Sequence, residues 1–367
     1  MLHITLLIIF SLAIVFQISY LVLILAGFNK IGIKKPQEAY LPLSVIICAR
    51  NELNNLKELI PSLLNQSHQS FEIVIVNDQS TDGTREYLDE QQQHFQSLKI
   101  IHIETTPDHI NRKKYALTLG IKAAKNEDLV FTDADCLPAS GNWLTNIQAG
   151  LKDHDIALGY SGYQKLPGLL NYFIRFETLW TGIQYIGFAG RGLPYMGVGR
   201  NLAYKKSLFL SAKGFNGYQG IVGGDDDLFV QKNATKQNTT VVVGSDSLTI
   251  SRPKTSIKNF FIQKLRHLSV GKHYTFKSKI GLSVWSLSLL LSWVLFISLA
   301  ILRIELYLVA GSFFLRTLIF YLTFNRSCLK LGERFELWGL IALDCIFVAY
   351  FTSVGIMALF IKRVKWT

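Results

Sequence analysis

Long apolar stretches at both ends of the chain restrict most strongly what it can fold into. Residues 1–28 contain no Lys, Arg, Asp or Glu, and residues 281–302 and 337–361 form two further apolar runs. A helix of about 20 apolar residues is enough to cross a bilayer. The sequence therefore predicts a transmembrane helix over 1–28 and a transmembrane region over 281–361.

The first apolar run is interpreted as an anchor and not as a cleaved signal peptide, because it has no basic n-region and no A-x-A site. The run is followed by three basic residues, Lys30, Lys34 and Lys35, so we expect the next segment to lie on the cytoplasmic side of the membrane. The membrane is expected to be a bacterial inner membrane. Residues 306–324 are apolar except for Arg316, which indicates two to three C-terminal spans. Basic residues flank the last span on both sides and leave the side of the C-terminus open.

The middle of the chain, residues 41–250, has the alternating pattern of an α/β domain. Apolar, β-branched runs that are typical of buried strands occur at 43–49, 71–77, 99–104 and 128–135. Helical stripes between them predict a parallel sheet with right-handed crossovers. The first strand is not followed by G-x-G-x-x-G, and the chain has no P-loop pattern, which argues against NAD, FAD and P-loop nucleotide sites.

Acidic residues follow two of these strands. Asp78 comes after the second strand, and Asp133 and Asp135 come after the fourth. In an open α/β sheet the ligand binds beyond the carboxyl ends of the strands, so these groups should converge. Two carboxylates one residue apart suit Mg²⁺ or Mn²⁺. For Asp78 and Ser80, turn and helix-capping chemistry is the alternative interpretation.

Six short motifs follow one another in a fixed order. They are S-V-I-I-C-A-R-N-E (44–52), V-N-D-Q-S-T-D-G-T (76–84), K-K-Y-A-L (113–117), T-D-A-D (132–135), G-V-G-R-N-L-A-Y (197–204) and G-G-D-D-D-L-F (223–229). This order resembles the family 2 glycosyltransferases of GT-A fold, in the membrane-bound branch that contains ceramide glucosyltransferases and polysaccharide synthases. The resemblance implies a nucleotide-diphospho-sugar transferase domain with a mixed, mainly parallel sheet flanked by helices.

The resemblance also implies roles for residues at the nucleotide end. Ala49, Arg50 and Glu52 would line the nucleoside pocket, and Asp78 would hydrogen-bond the uracil ring of a UDP-sugar. The family's basic position, which faces the diphosphate, falls on Lys113. Lys114 beside it is an alternative.

At the reaction centre, the resemblance places Asp133 near the sugar and diphosphate and assigns Asp135 to the metal ion, Mg²⁺ or Mn²⁺. An inverting transferase needs one base to deprotonate the acceptor hydroxyl. The family pattern aligns that base with Asp225. Gly224 occupies the position at which the family has Glu, which makes the register of this alignment less certain. Asp226 is therefore kept as the alternative base. Repulsion within the acidic run predicts a raised pKa for at least one of its carboxyl groups.

The net charge of +12 is concentrated near the membrane. Residues 252–279 carry eight basic residues and no acidic residue, whereas the basic and acidic residues of 29–251 are equal in number. The segment is predicted to be a basic amphipathic helix that faces anionic lipid and not nucleic acid. Within it, Gln263, Arg266 and His267 share one helix face and resemble the family's Q-x-x-R-W, with His in place of Trp.

The sequence thus predicts a membrane-anchored, metal-dependent inverting hexosyltransferase. Its partners would be a nucleotide-sugar donor and a lipid or glycan acceptor. A processive polysaccharide synthase is the alternative within the family, and a catalytically silent scaffold is the alternative outside it. The apolar stripe in 166–190 is either a core helix or a helix that dips into the membrane, where a lipid acceptor could be presented.

Overall fold

The computed structural model describes residues 1–32 and 41–360. The basic residues Lys34, Lys35, Lys362, Arg363 and Lys365, which entered the predicted topology, lie outside the described residues, as does the end of the predicted 281–361 region.

The strands belong to two sheets. They are β1 (Leu43–Ala49), β2 (Phe71–Asp78), β3 (Leu98–Ile103), β4 (Asp128–Phe131), β5 (Cys136–Pro138), β6 (Ile156–Leu158), β7 (Ser161–Tyr163), β8 (Leu202–Lys205), β9 (Thr239–Val241) and β10 (Thr249–Ser251). Within residues 41–360, seven of them form the main sheet in the order β3-β2-β1-β4-β8-β6-β9, and three form a small sheet in the order β5-β10-β7.

Helices pack around the sheets and against one another. They are α1 (Leu2–Lys30), α2 (Leu53–Leu64), α3 (Thr84–His94), α4 (Arg112–Ala123), α5 (Trp143–Leu151), α6 (Leu169–Gly190), α7 (Lys206–Ser211), α8 (Asp227–Asn233), α9 (Ile257–Val270), α10 (Phe276–Ile301), α11 (Leu306–Leu331) and α12 (Leu340–Phe360).

The main sheet is mixed and mainly parallel, as the sequence predicts. Strands β1, β2, β3 and β4 run parallel to one another, whereas β8 is antiparallel to both β4 and β6. The side chains of β1 and β2 are almost entirely buried because helices cover both faces of the sheet. The carboxyl ends of β1, β2 and β4 therefore lie side by side at one edge.

Among the described residues, four helices are long and apolar enough to cross a membrane. They span Leu2–Lys30, Phe276–Ile301, Leu306–Leu331 and Leu337–Phe360, the last of which includes a short turn before α12. One of these helices is N-terminal and three are C-terminal, which is the upper end of the predicted range.

Arg316 faces the interior of this helix bundle. Its side chain is buried and forms an ion pair with Asp344 of α12. The carboxylate of Asp344 also accepts a hydrogen bond from Nε1 of Trp293 at 2.9 Å, and Arg316 donates to Oε1 of Gln17 at 3.4 Å. Burying this charge is tolerable because it is paired and hydrogen-bonded.

Helix α6 lies between the sheet and the apolar helices. It packs against α1, α11 and α12 on one side and against β7 and β9 on the other. Phe176, Trp180 and Ile183 are buried there, as expected of the core-helix alternative. The layer joins the α/β domain to the helices that could cross a membrane.

Candidate active site

Two loops at the carboxyl ends of β1 and β2 are tied together by short hydrogen bonds. The Asn51 N–H donates to Oγ of Ser80 at 2.9 Å, and the Thr81 N–H donates to Oδ1 of Asn51 at 2.8 Å. The Leu53 N–H donates to Asp82 at 3.2 Å. These contacts join the loop of Ala49, Arg50 and Glu52 to the loop that follows Asp78. Neither α2 nor α3 has a hydrogen bond from the side chain of its N-cap residue.

Asp78 offers an unused acceptor in this pocket. Its side chain is buried, and among the described residues its Oδ2 receives no hydrogen bond. Nη1 of Arg50 lies 4.0 Å from that oxygen. Burial raises the pKa of the Asp78 carboxyl, and the charge of Arg50 opposes the rise. A buried acceptor without a donor is costly and is suited to an N–H group of a ligand.

Lys113 connects the two acidic motifs. Its Nζ lies 2.9 Å from Oδ1 of Asp133 and 3.2 Å from Oδ2 of Asp225. Burial alone would lower the pKa of Lys113, but the carboxylates of Asp133 and Asp225 outweigh it and raise the pKa well above its usual value. The ammonium group is therefore charged and can face an anionic group of a ligand in the same place.

Lys114, the alternative for this position, points elsewhere. Its side chain is buried, and its Nζ donates to the carbonyl oxygen of Ile221 at 2.5 Å and to that of Gly223. It thereby holds the backbone that leads into Asp225. Gly223 and Gly224 have φ of 77° and 74°, a conformation that favours glycine.

The three consecutive aspartates have different surroundings. Asp225 faces Lys113, whereas Asp226 accepts hydrogen bonds from the backbone N–H of Gly199 at 2.7 Å and of Asp227 at 2.8 Å. Asp227 accepts from the Tyr274 hydroxyl at 2.6 Å. Asp225 has its carboxylate in the recess, while Asp226 and Asp227 are engaged in holding the start of α8 and the segment before α10.

Their titration differs accordingly. Burial would raise the pKa of Asp225, but Lys113 and Lys114 outweigh burial and the net pKa is lowered. Burial, followed by the charge of Asp225, raises the pKa of Asp226. Burial and the charge of Asp226 raise the pKa of Asp227 to about 8. Burial first, and repulsion between the carboxylates second, thus raise the pKa of Asp226 and Asp227, whereas the ion pair with Lys113 leaves Asp225 ionised at neutral pH.

The residues after β4 form a candidate metal centre. Ligand atoms of Asp133, Asp135 and Cys136 lie within 4.8 Å of one another. Burial and the charge of Asp133 raise the pKa of Asp135. The pKa of Glu52 is also raised, first by burial and then by the charges of Asp135 and Asp133. Three carboxyl groups that repel one another at a sheet edge fit a hard divalent cation, which would relieve the repulsion. The Cys136 thiol lies 2.9 Å from Oγ of Ser251.

Helix α9 brings the predicted Q-x-x-R-W-like residues toward the same edge. Nε2 of Gln263 donates to the Tyr163 hydroxyl at 3.3 Å. His267 is exposed, and desolvation by the surrounding protein, followed by the charges of neighbouring cations, lowers the pKa of its imidazole well below the usual value. Arg266 is half-buried and is one of those cations.

Arg200 was not selected from the sequence, although it lies within the motif G-V-G-R-N. Its guanidinium carbon lies 4.7 Å from the centre of the Tyr163 ring, and it donates to Oγ of Ser251 at 2.8 Å. Its charge opposes the rise in the pKa of Asp135. Its position within the motif at 197–204 was the sequence feature that could have identified it as a site residue. Its placement near Asp135, however, depends on how β5, β7 and β10 pair.

The acidic groups line a small recess that is open to solvent. Lys113, Asp133, Asp225 and Asp226 line it, and Tyr204 contributes an apolar wall. The recess thus combines a charged lysine with ionised carboxylates, and the candidate metal centre lies nearby. This arrangement suits a polyanionic ligand bound next to a second, polar ligand.

The same motifs match a known family. Residues 44–207 fit the sequence model described as Glycosyl transferase family 2. Residues 44–207 are a family 2 glycosyltransferase domain. The glycosyltransferase domain includes the nucleotide-end loops, Lys113, Asp133, Asp135 and Arg200, while the Asp225 run and α9 lie beyond the matched residues.

Curated relatives agree with this assignment. Over 118 residues, the chain is 33% identical to an uncharacterized glycosyltransferase of Haemophilus influenzae, a match that covers 32% of this chain and 35% of that protein. Over 135 residues it is 27% identical to glycosyltransferase GlyG of Streptococcus pneumoniae, covering 36% of this chain and 43% of that protein. The chain thus spans less than half the length of these relatives.

A solved structure has the same fold over nearly the whole chain. The mannosyltransferase PcManGT from Pyrobaculum calidifontis, in complex with GDP-Man and Mn²⁺, gives a TM-score of 0.63 at 18% identity. The likeness covers 98% of this chain and 99% of that one. The predicted GT-A fold of the glycosyltransferase domain is confirmed, and the likeness extends over the apolar helices.

Proposed function

We propose that the protein is a membrane-anchored, metal-dependent inverting glycosyltransferase that moves a sugar from a nucleotide sugar to a lipid or other hydrophobic acceptor. The observation that carries the proposal is the bridge from Lys113 to Asp133 and Asp225 at the carboxyl edge of the sheet. It joins a cation suited to a diphosphate with a carboxylate suited to act as a base. The family of residues 44–207 supports the same chemistry.

The nucleoside would bind at the ends of β1 and β2. The free Oδ2 of Asp78 accepts an N–H group of the base, and uracil offers one at N3, so UDP is the proposed nucleotide. Ala49, Arg50 and Glu52 complete the pocket. PcManGT was solved with GDP-Man, which makes GDP-sugars the necessary comparison in any donor panel.

Asp135 and Asp133 would hold a divalent ion, Mg²⁺ or Mn²⁺. When bound, such an ion supplies Lewis-acid stabilisation of the charge on the departing nucleotide. Lys113 would bind the diphosphate and neutralise part of its charge. Arg200 holds the Asp135 end of the site in position through Ser251 and Tyr163.

Asp225 would be the base. Its lowered pKa keeps it ionised, so that it can accept the proton of the acceptor hydroxyl as that oxygen attacks the anomeric carbon. Attack from the face opposite the nucleotide inverts the configuration. Asp226 stays the alternative base, but its two bonds to backbone N–H groups favour a structural role.

The acceptor would come from the membrane. The basic segment 252–279 and α6 both adjoin the apolar helices, because α9 packs against α12 and α6 packs against α1, α11 and α12. Gln263 of the same segment donates to the Tyr163 hydroxyl on the side of the candidate site. With Lys30 at the end of α1, the proposed location of the glycosyltransferase domain is the cytoplasmic face of a bacterial inner membrane.

A donor panel tests the proposal directly. Purified protein in detergent is incubated with UDP- and GDP-sugars, Mn²⁺ or Mg²⁺, and a total lipid extract, and the products are identified by mass spectrometry. A glycosylated lipid formed from a UDP-sugar is the expected product. An insoluble polymer would instead identify a processive synthase, and the lack of any product across donors would favour the silent scaffold.

A further inference from the structure

A buried ion pair joins α9 to α6. Nζ of Lys264 contacts Oε2 of Glu177, and each side chain is only 9% exposed. Oγ1 of Thr178 donates to the same glutamate oxygen at 3.3 Å. The pair lies where the glycosyltransferase domain meets the apolar helices, outside the recess that holds the acidic run.

Helix α9 uses different faces for different contacts. Phe260 and Lys264, one turn apart, are buried toward α6 and α12; the ring of Phe260 lies 6.1 Å from that of Phe173 and 5.7 Å from that of Tyr350. Gln263 points to Tyr163 of β7. The residue that anchors the helix and the residue that reaches the site are therefore neighbours in the chain.

From Tyr163 the contacts continue to the candidate metal centre. The Tyr163 ring stacks on Arg200, which donates to Ser251, and the Ser251 hydroxyl lies 2.9 Å from Sγ of Cys136. Cys136 follows Asp135 directly. A shift of α9 along α6 would therefore move Gln263 relative to Tyr163 and disturb this series of contacts.

We infer that Glu177 and Lys264 are positioning residues, which fix α9 at the height and rotation that let Gln263 and His267 address the site. Apolar contacts alone are non-directional and would allow the helix to slide. A buried charge is strongly disfavoured unless its partner meets it in good geometry, so the pair permits one placement of α9. The inference rests on the proposed function for its effect on turnover.

The test uses the full-length protein in phospholipid nanodiscs. Glu177→Gln or Lys264→Met alone leaves an unpaired buried charge and is expected to lower thermal stability. The double variant Glu177→Gln/Lys264→Met removes both charges and should keep the unfolding temperature near that of the wild type. Lys258→Met, at an exposed lysine of the same helix, is the matched control.

Two readouts are compared in the double variant. Donor turnover should fall roughly tenfold in kcat, with the donor KM within about twofold of the wild type, because misplacement of a contributing helix affects the transition state more than donor binding. Amide hydrogen exchange over 257–270 should speed up by about tenfold while that of 53–64 stays unchanged. Lys258→Met should match the wild type in both readouts.

Unchanged exchange over 257–270 in the double variant would overturn the inference, whatever its turnover. Faster exchange with wild-type kcat would overturn it as well, because α9 would then move without consequence. If the wild type itself turns over no donor, the proposed function fails, and the exchange comparison still decides whether the pair fixes α9.

Discussion

Lys113 and Lys114 are neighbours in the chain with separate tasks. Lys113 contacts the carboxylates of Asp133 and Asp225, and Lys114 holds the carbonyl groups of Ile221 and Gly223. The family resemblance assigned the diphosphate-facing position to Lys113 and kept Lys114 as the alternative, a choice that composition alone does not make. The decision depends on helix rotation, which the Asn111 cap of α4 helps to set by accepting from the Lys114 N–H at 3.4 Å.

Lys114→Met should impair catalysis without removing any group from the recess. Two buried carbonyl groups lose their donor, and the loop before Asp225 loosens. We expect kcat to fall roughly tenfold with little change in donor KM. Steady-state kinetics check this, with Lys122→Met, an exposed lysine of the same helix, as the control. Wild-type kcat in Lys114→Met would refute the role given to that lysine.

Asp225 and Asp226 can be told apart by matched amide substitutions. Asp225→Asn removes the proposed base and should cut kcat at least about a hundredfold, while UDP affinity measured by titration calorimetry stays near that of the wild type. Asp226→Asn keeps an oxygen for the N–H groups of Gly199 and Asp227, so its kcat should fall much less. The reverse order would move the base to Asp226.

Asp227 should make folding stability depend on pH. Its pKa is raised from 3.8 to about 8, so the folded protein binds this proton more tightly than the unfolded chain does. Stability from this group is complete below about pH 4 and is lost as the pH rises toward 8. Asp227→Asn, which cannot ionise, should unfold at a higher temperature than the wild type at pH 8, with the difference vanishing near pH 4. A constant difference across this range would contradict the raised pKa.

Among the larger elements, α1 and α6 approach each other through glycines. A Cβ at Gly27 would lie 1.8 Å from the carbonyl oxygen of Gly187, and a Cβ at Gly190 would lie 2.6 Å from that of Gly27. Small residues at a helix crossing let the backbones come together. Each glycine is visible in the sequence, but which of them face one another depends on how α1 and α6 cross.

Gly27→Ala should therefore be harmful although it adds one methyl group. The new methyl meets backbone, which cannot move aside as a side chain can, so the crossing of α1 and α6 must open. We expect a clear drop in unfolding temperature in detergent. Gly311→Ala in α11, where a Cβ meets no atom of the described chain within 4 Å, should be neutral or slightly stabilising. Equal effects of the two substitutions would refute the close crossing.

The sequence predicted some elements more closely than others. Strand β1 agrees at both ends because a buried parallel strand reads as a continuous apolar run. The strands β5, β7 and β10 have three residues each, too few to show a period, and their pairing brings together residues more than 80 positions apart. Arg200 reaches Asp135 only through that pairing, so its place could not be predicted.

At the scale of the whole molecule, the apolar ends of the chain and its charge distribution indicated an α/β domain flanked by helices that could cross a membrane. The basic excess lies in residues 252–279, which lead into α10, whereas residues 29–251 carry equal numbers of basic and acidic residues. Binding of the proposed polyanionic donor therefore needs local positive charge. Lys113 supplies one such charge, and an ion held by Asp133 and Asp135 would supply the rest.

The most direct test of this account is nucleoside diphosphate release from a nucleotide sugar by the purified full-length protein. Wild type and Asp135→Asn are compared with Mn²⁺ or Mg²⁺ and with EDTA. The account predicts release by the wild type only with the metal, and a loss of at least about a hundredfold in Asp135→Asn. Undiminished release in EDTA, or wild-type release by Asp135→Asn, would contradict it.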